Sequence, residues 1–296
     1  MRTSAERVTA VPGAASVTLR SLLQGPSRPA RVVGIGPAAL FVSVDGFGDE
    51  AAGGAGPGFL ALCTHDAVRL PLAIVVGASA GDSPWAGRVS AGAGVTVGGD
   101  LVRLPGLTIR VARWWAPVRP RPVDHECLDL RTTMLLDLLR ERAVPLSATI
   151  GANLRWLGRA LATGDLDVAR RAVDAMLGLG PGLTPTGDDV IAGLLLAVHH
   201  LGEPREPAMA ALRAHVLTAA PGRTNAVSAA LLTHAARGDA APQVIAVLDA
   251  LATGCDLRGA VRALLRLGHT SGADLAHGIA AGALLVFGQR STRGAA

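Results

Sequence analysis

The stretch Pro117-Val-Arg-Pro-Arg-Pro122 constrains the fold of this chain more than any other. Each proline fixes φ and lacks the N–H donor, so the stretch enters neither a helix interior nor an inner strand. It reads as a linker, and the sequence pattern changes across it. Before it, short apolar runs alternate with Gly, Pro and Asp: Ala30–Ile35, Ala39–Val44, Phe59–Leu62, Leu72–Val76, Val95–Val97 and Leu107–Ala112. Runs of that length and punctuation predict a small, mostly antiparallel β unit. Gly46–Gly58 is so rich in Gly and Ala that it reads as a loop. After the linker the period becomes helical, over 124–142, 150–163, 165–178, 188–201, 207–219, 226–237, 242–252, 257–267 and 274–287. The expected class is α+β, with a small β-rich domain over 1–122 and an all-helical domain over 123–296.

Half of the residues are hydrophobic and 17% are charged, and the mean hydropathy is +0.39. That raises the question of a membrane protein. The most apolar runs, Val190–Val198 and Ile279–Phe287, contain glycine and reach about half of the roughly 20 residues a spanning helix needs. They read as buried helices, with no membrane partner expected. Met1–Gln24 has no continuous apolar core of the kind that marks a secretory signal. Cys63, Cys127 and Cys255 lie far apart without metal-ligand spacing, which fits reduced thiols in a cytoplasmic protein. The 28 basic residues are all arginine, scattered among few aromatics. Nucleic-acid binding is therefore not expected. An arginine-only set suits carboxylates and phosphates, and equally the codon bias of a GC-rich genome.

The chemistry-bearing residues gather in the helical part. In Gly180-Pro-Gly-Leu-Thr-Pro-Thr-Gly-Asp-Asp189, following Gly178, glycines precede a helix start. Thr186 and Asp189 have capping-box spacing, a cap worth about 0.5–2 kcal/mol without any ligand. More glycine and proline precede that start than a cap needs, and the free N–H groups of a helix N-terminus can hold an anion. The segment is not a phosphate loop of the Gly-Lys-Ser/Thr kind. Asp188 and Asp189 diverge by about 100° on a helix, so they serve different tasks. Asp189 is assigned to the cap, and Asp188 to an amide N–H, a metal ion or an arginine.

Gly268-His-Thr-Ser-Gly-Ala-Asp274 repeats this grammar, with Ser271 and Asp274 at the same spacing. Both segments read [Ser/Thr]-Gly-x-Asp-x-x-x-Gly, ending at Gly193 and Gly278. Between them lies Pro221-Gly-Arg-Thr-Asn225, followed by Ser228. Arg223 there offers a guanidinium fork and Asn225 both donor and acceptor, or else a helix cap. His269 stands just before the second capped helix. His199-His200 end a helix, where cationic imidazole favours the dipole. His65-Asp66 follow a strand of the β-rich part.

Taken together, Gly180–Asp189, Arg223-Thr-Asn225 with Ser228, and Gly268–Asp274 resemble the three motif blocks of the AllH-like proteins, over about 177–282. The resemblance implies a subunit of an oxamate carbamoyltransferase of allantoin catabolism, working with FdrA-like and other subunits. That system interconverts oxalurate plus phosphate with oxamate plus carbamoyl phosphate. On this reading Gly180, Gly182, Thr184, Thr186, Gly187, Thr270, Ser271 and Gly272 hold the anion through backbone and hydroxyl groups, with Arg223 and Asn225. Asp188 and His269 take the catalytic roles, and Asp189 and Asp274 are caps. No cofactor is expected, magnesium being the one ion left open, and the partners are small anions and sister subunits. Two alternatives stand beside this: a non-catalytic anion-binding or assembly subunit, and a metal-dependent hydrolase using Asp188 with His65 or His269.

Overall fold

The computed structural model describes residues 9–47, 58–202 and 206–293, with side chains to Val286. The chain divides into two compact units, one up to Pro117 and one from Val118. Most of the Gly46–Gly58 segment lies outside the described residues.

The first unit corrects the expected fold class. Its strands are mostly antiparallel, as expected, but they are not an open sheet. They close into an eight-stranded barrel. The strands are β1 (Thr9–Ser16), β2 (Arg28–Ile35), β3 (Ala39–Val44), β4 (Phe59–Cys63), β5 (Ala73–Val76), β6 (Gly94–Gly98), β7 (Leu101–Leu104) and β8 (Leu107–Trp115). A short helix, α1 (Arg20–Gln24), follows β1. The order around the barrel is β1-β5-β4-β3-β2-β6-β7-β8. Two pairings, β4 with β5 and the closing β1 with β8, are parallel. Two strands were not expected from the sequence. Pro12 and Gly13 weaken the strand pattern of β1, and β7 is only four residues long. Closure removes the open edges that an eight-stranded sheet would otherwise expose. Alternate residues of β2 and β3 are buried, and the strand residues Leu40, Leu62, Ile74, Leu107 and Ile109 belong to the core with Trp85, whose indole N–H donates to the Gly36 carbonyl at 3.0 Å.

The second unit is built of α2 (Leu128–Arg142), α3 (Ala148–Thr163), α4 (Leu166–Met176), α5 (Thr186–Leu201), α6 (Pro207–Arg223), α7 (Ala226–Ala236), α8 (Pro242–Thr253), α9 (Leu257–Leu265) and α10 (Ser271–Arg293). From Val118 onward the linker belongs to this unit, and its arginines tie it down. Arg119 bonds to the Gly238 carbonyl at 2.9 Å, and Arg121 pairs with Asp249 at 2.7 Å. Helix α5 is the centre: every residue from Gly187 to Val198 is buried. A helix apolar on all sides needs neighbours on all sides, which explains the high hydropathy without a membrane. No helix among the described residues is long and apolar enough to cross one.

The closest partner of α5 is α10, and glycine decides the approach. A Cβ on Gly193 would land on the Leu275 carbonyl oxygen, and one on Gly278 would land on that of Val190. Each helix thus presents its glycine to the backbone of the other.

Candidate functional site

The loops of the three motif blocks meet around the N-termini of α5 and α10. Gly178 has φ +75°, and its Cα faces the carbonyl of Arg223 with no room for a side chain. The Gly178 N–H donates to Asp188 Oδ1 at 2.8 Å, and the Thr224 hydroxyl donates to Asp188 Oδ2. Thr184 and Ser271 hydroxyls lie 2.8 Å apart, joining the first loop to the start of α10. Asp188 is 1% exposed. It therefore fastens the end of α4 to the α6–α7 junction, and both of its oxygens are used.

The capping boxes are corrected. Helix α5 starts after Pro185 with no side-chain cap, and the Asp188 and Asp189 amides both donate to the Pro185 carbonyl. In α10 the Ala273 and Asp274 amides donate in the same way to the Thr270 carbonyl. Each helix begins one residue earlier than its Thr or Ser suggests, so Asp189 and Asp274 sit one step beyond the capping-box position. Freed from the cap, they turn toward each other's helix. The hydroxyls of Ser271 and Thr184 face Asp189, and those of Thr270 and Thr186 face Asp274.

Both carboxylates are buried, at 6% and 5% exposed, and Oδ2 of each has no hydrogen-bond partner. Burial pushes Asp189 up to about 8, against the pull of the Ser271 hydroxyl, with the charge of Asp274 adding to the rise. Burial also raises Asp274, opposed by Thr270 and Thr186. Loss of solvation disfavours the charged form when nothing replaces the water.

The remaining expected site residues are placed as follows. Gly180 and Gly182 lie on an exposed stretch that also carries the exposed Leu179 and Leu183. The Gly187 amide donates to the Leu179 carbonyl, and the Gly272 amide to that of Leu267. These first-turn donors are thereby occupied. Arg223 is half exposed and pairs with Asp174 at 3.3 Å, while the other oxygen of Asp174 meets His215 at 2.9 Å. Asn225 caps α7 by accepting from the Ser228 amide at 3.1 Å. His269 is exposed on the loop before α10.

Asp174 was not singled out in the sequence, because one acid on an amphipathic helix carries no signal. Asp189 and Asp274 carried one: they occupy the same position of the quasi-repeat. At the far end of α5, His200 lies 2.8 Å from the Gly238 carbonyl, and burial brings His199 down to about 4. His199 is thus neutral, and its charge does not serve the helix dipole as expected. In the barrel unit His65 Nδ1 meets the Ala78 carbonyl at 2.9 Å and Asp66 accepts from the Ala80 amide. Cys63 is buried, whereas Cys127 and Cys255 are exposed. Among the described residues no group of three or more His, Cys, Asp or Glu side chains could hold a metal ion.

With this geometry in place, comparison with known families bears on the same segment. Residues 176–283 match the family of the oxamate carbamoyltransferase subunit AllH. The match starts at the last residue of α4 and runs into α10, so it contains all three loops and the α5–α10 pair. No solved structure matches the chain.

Proposed function

We propose that this chain is a subunit of a carbamoyltransferase that interconverts oxalurate plus phosphate with oxamate plus carbamoyl phosphate, in company with FdrA-like subunits. The observation that carries the reading is the meeting of three separate motif loops inside the segment matched by the AllH family. In the phosphorolytic direction a phosphate oxygen attacks the ureido carbon and its bond to the oxamate nitrogen breaks. That nitrogen takes up a proton. Charge develops on the attacked carbonyl, and donors fixed in advance stabilise it best.

The residues divide this work by their surroundings. Asp188 is a positioning residue: it fixes Gly178 and Thr224 and so sets the shape of the first loop. The exposed Gly180–Leu183 backbone faces the anion, with Arg223, held by Asp174, as counter-charge. His269, exposed on the loop before α10, is the catalytic imidazole of this reading.

The test is carbamoyl phosphate formation from oxalurate and phosphate by the chain co-purified with its partner subunits. Activity that disappears when this chain is left out supports the reading, and a complex inactive in both directions overturns it. Phosphate or oxamate should also raise the melting temperature of the chain, and Arg223→Ala should abolish that rise.

An assembly subunit is the second reading, and two observations favour it. The polar groups at the loop junction are largely bonded to one another, and Leu179 and Leu183 stand exposed on the same loop. It predicts no melting shift with either anion, and loss of complex formation in Leu183→Asp. The hydrolase reading gains nothing from the site, since both Asp188 oxygens accept hydrogen bonds within the protein.

A further inference from the structure

The barrel wall carries a second concave surface, unrelated to the motif loops. A groove of about 480 Å³ is lined by residues of β1, β5 and β8 with the loop after β4. Its size falls in the range of small-molecule sites, roughly 300–1,000 Å³. Small residues such as Ala14 and Gly77 line it together with Trp114, Trp115, His65, Arg69 and Arg113.

The wall is built by a β-bulge. Along the parallel β1–β8 pairing, Gly13 stands opposite Val111 and Ala14 opposite Arg113, so Ala112 is an extra residue. A bulge re-aims the side chains that follow it. The two indoles that follow are held in place. Trp115 Nε1 donates to the Ala14 carbonyl at 3.1 Å, and the Arg69 guanidinium lies 5.5 Å over the Trp115 ring. Arg20 covers Trp114 in the same way at 5.1 Å. No ion pair reaches Arg20, Arg69 or Arg113 among the described residues. Among the described residues no carboxylate lines the groove. The nearby Asp66 has both oxygens turned to the Ala80 amide.

Guanidinium groups without acidic partners, beside fixed aromatic walls, call for one kind of ligand. We propose that this groove binds a small organic anion with a flat ring, its carboxylate or phosphate taken by Arg69 and Arg113 and its ring lying against the tryptophans. An anion alone would leave the apolar walls uncovered, and a neutral ring would leave the guanidinium forks unpaired.

Fluorine NMR of the full chain labelled with 5-fluorotryptophan tests this directly. The chain has four tryptophans. Trp85, buried in the same unit, and Trp156 on α3 are built-in controls, and Trp114→Phe and Trp115→Phe assign the other two signals. The probes are benzoate, a nucleoside monophosphate and inorganic phosphate, each titrated to about 10 mM, since weaker binding is worth less than about 3 kcal/mol. The expected result is a saturable shift of the Trp114 and Trp115 signals with benzoate or the nucleotide, whichever responds giving the source of the anion. In Arg69→Gln/Arg113→Gln the affinity should fall at least about tenfold. An unmoved Trp85 signal in that variant shows the barrel intact. No saturable shift with either ring probe overturns the proposal. So does equal binding by the double variant, or a response to inorganic phosphate as strong as to the ring-bearing anions.

Discussion

Helices α5 and α10 follow one plan up to a point. Each has glycine at its second residue, where a Cβ would strike a carbonyl of the preceding helix, Met176 for Gly187 and Leu264 for Gly272. Each has a buried aspartate two residues later and, four residues beyond that, the glycine that meets the other helix. They differ at the third residue, Asp188 in α5 and Ala273 in α10, and in the loop before, which is longer ahead of α5. The common positions make a packed helix pair. The third residue of α5 reaches outward, to Gly178 and Thr224, and draws two other loops to the same end. Shared residues therefore account for the scaffold, and the unshared one for the gathering of the motif blocks.

The sharpest way to break this comparison is to fill the contact it rests on. Gly193→Val or Gly278→Val places methyl groups against backbone that cannot rotate away. Overpacking alone costs about 1–3 kcal/mol, and here separating α5 from α10 also uncovers the central helix. Either variant should lose cooperative melting of the helical unit when followed by far-ultraviolet circular dichroism. A melting temperature within about 2 °C of the unmodified chain would show that the two helices do not meet through these glycines.

Replacing the unshared residue should cost less. In Asp188→Ala the Gly178 amide and the Thr224 hydroxyl lose their acceptor inside the protein, at about 1–3 kcal/mol for each group left unpaired. Asp188→Asn keeps one acceptor and should fall between the two in urea unfolding. If both substitutions were as mild as a surface change, below about 0.5 kcal/mol, the staple assigned to Asp188 would be gone. The α5–α10 contact would survive that outcome.

The shared aspartates give the pH dependence. Burial pushes the Asp189 carboxyl up to about 8 in the folded chain, well above the ordinary carboxylate range, so between the two the folded state holds a proton that the unfolded state has released. Stability should then be greatest at the acid end of this window and fall as pH rises through it, by up to about 1.4 kcal/mol per pH unit for one full proton. Asp274 is raised as well and adds in the same direction. Asp189→Asn, which cannot ionise, should flatten the profile of urea midpoints over this range. An unchanged slope in that variant would mean that Asp189 stays charged and finds a partner.

How much of this was legible in the sequence depended on whether the signal was local. Helical period and the proline linker are local, and they located the segments of the second unit before any contact was known. The glycine spacing of the quasi-repeat was visible too, since Gly193 and Gly278 fall at equal distances from Thr186 and Ser271. Barrel closure was not, because a parallel pairing of β1 with β8 joins residues about a hundred positions apart. Asp188 holds an amide N–H, one of the partners expected of it, but the cap role of Asp189 was misplaced for a similar reason. Capping-box spacing pointed to Asp189, but Pro185 starts the helix one residue early, and one of the two groups that bind Asp188 is the distant Thr224. A helix boundary shifted by one residue turns each side chain by about 100°, enough to exchange neighbours.

The smallest effect separates close contact from glycine as such. Gly158 lies inside α3, and a Cβ there would meet nothing within 4 Å. In an open helical position glycine only adds freedom to the unfolded chain, so Gly158→Ala should stabilise the protein by about 0.5–1 kcal/mol. The same substitution at Gly278 removes as much unfolded-state freedom but drives a methyl group into the Val190 carbonyl. The two variants should therefore move the urea midpoint in opposite directions. If Gly278→Ala were also stabilising, α10 would have room against α5, and the repeat would be a resemblance of sequence without a contact behind it.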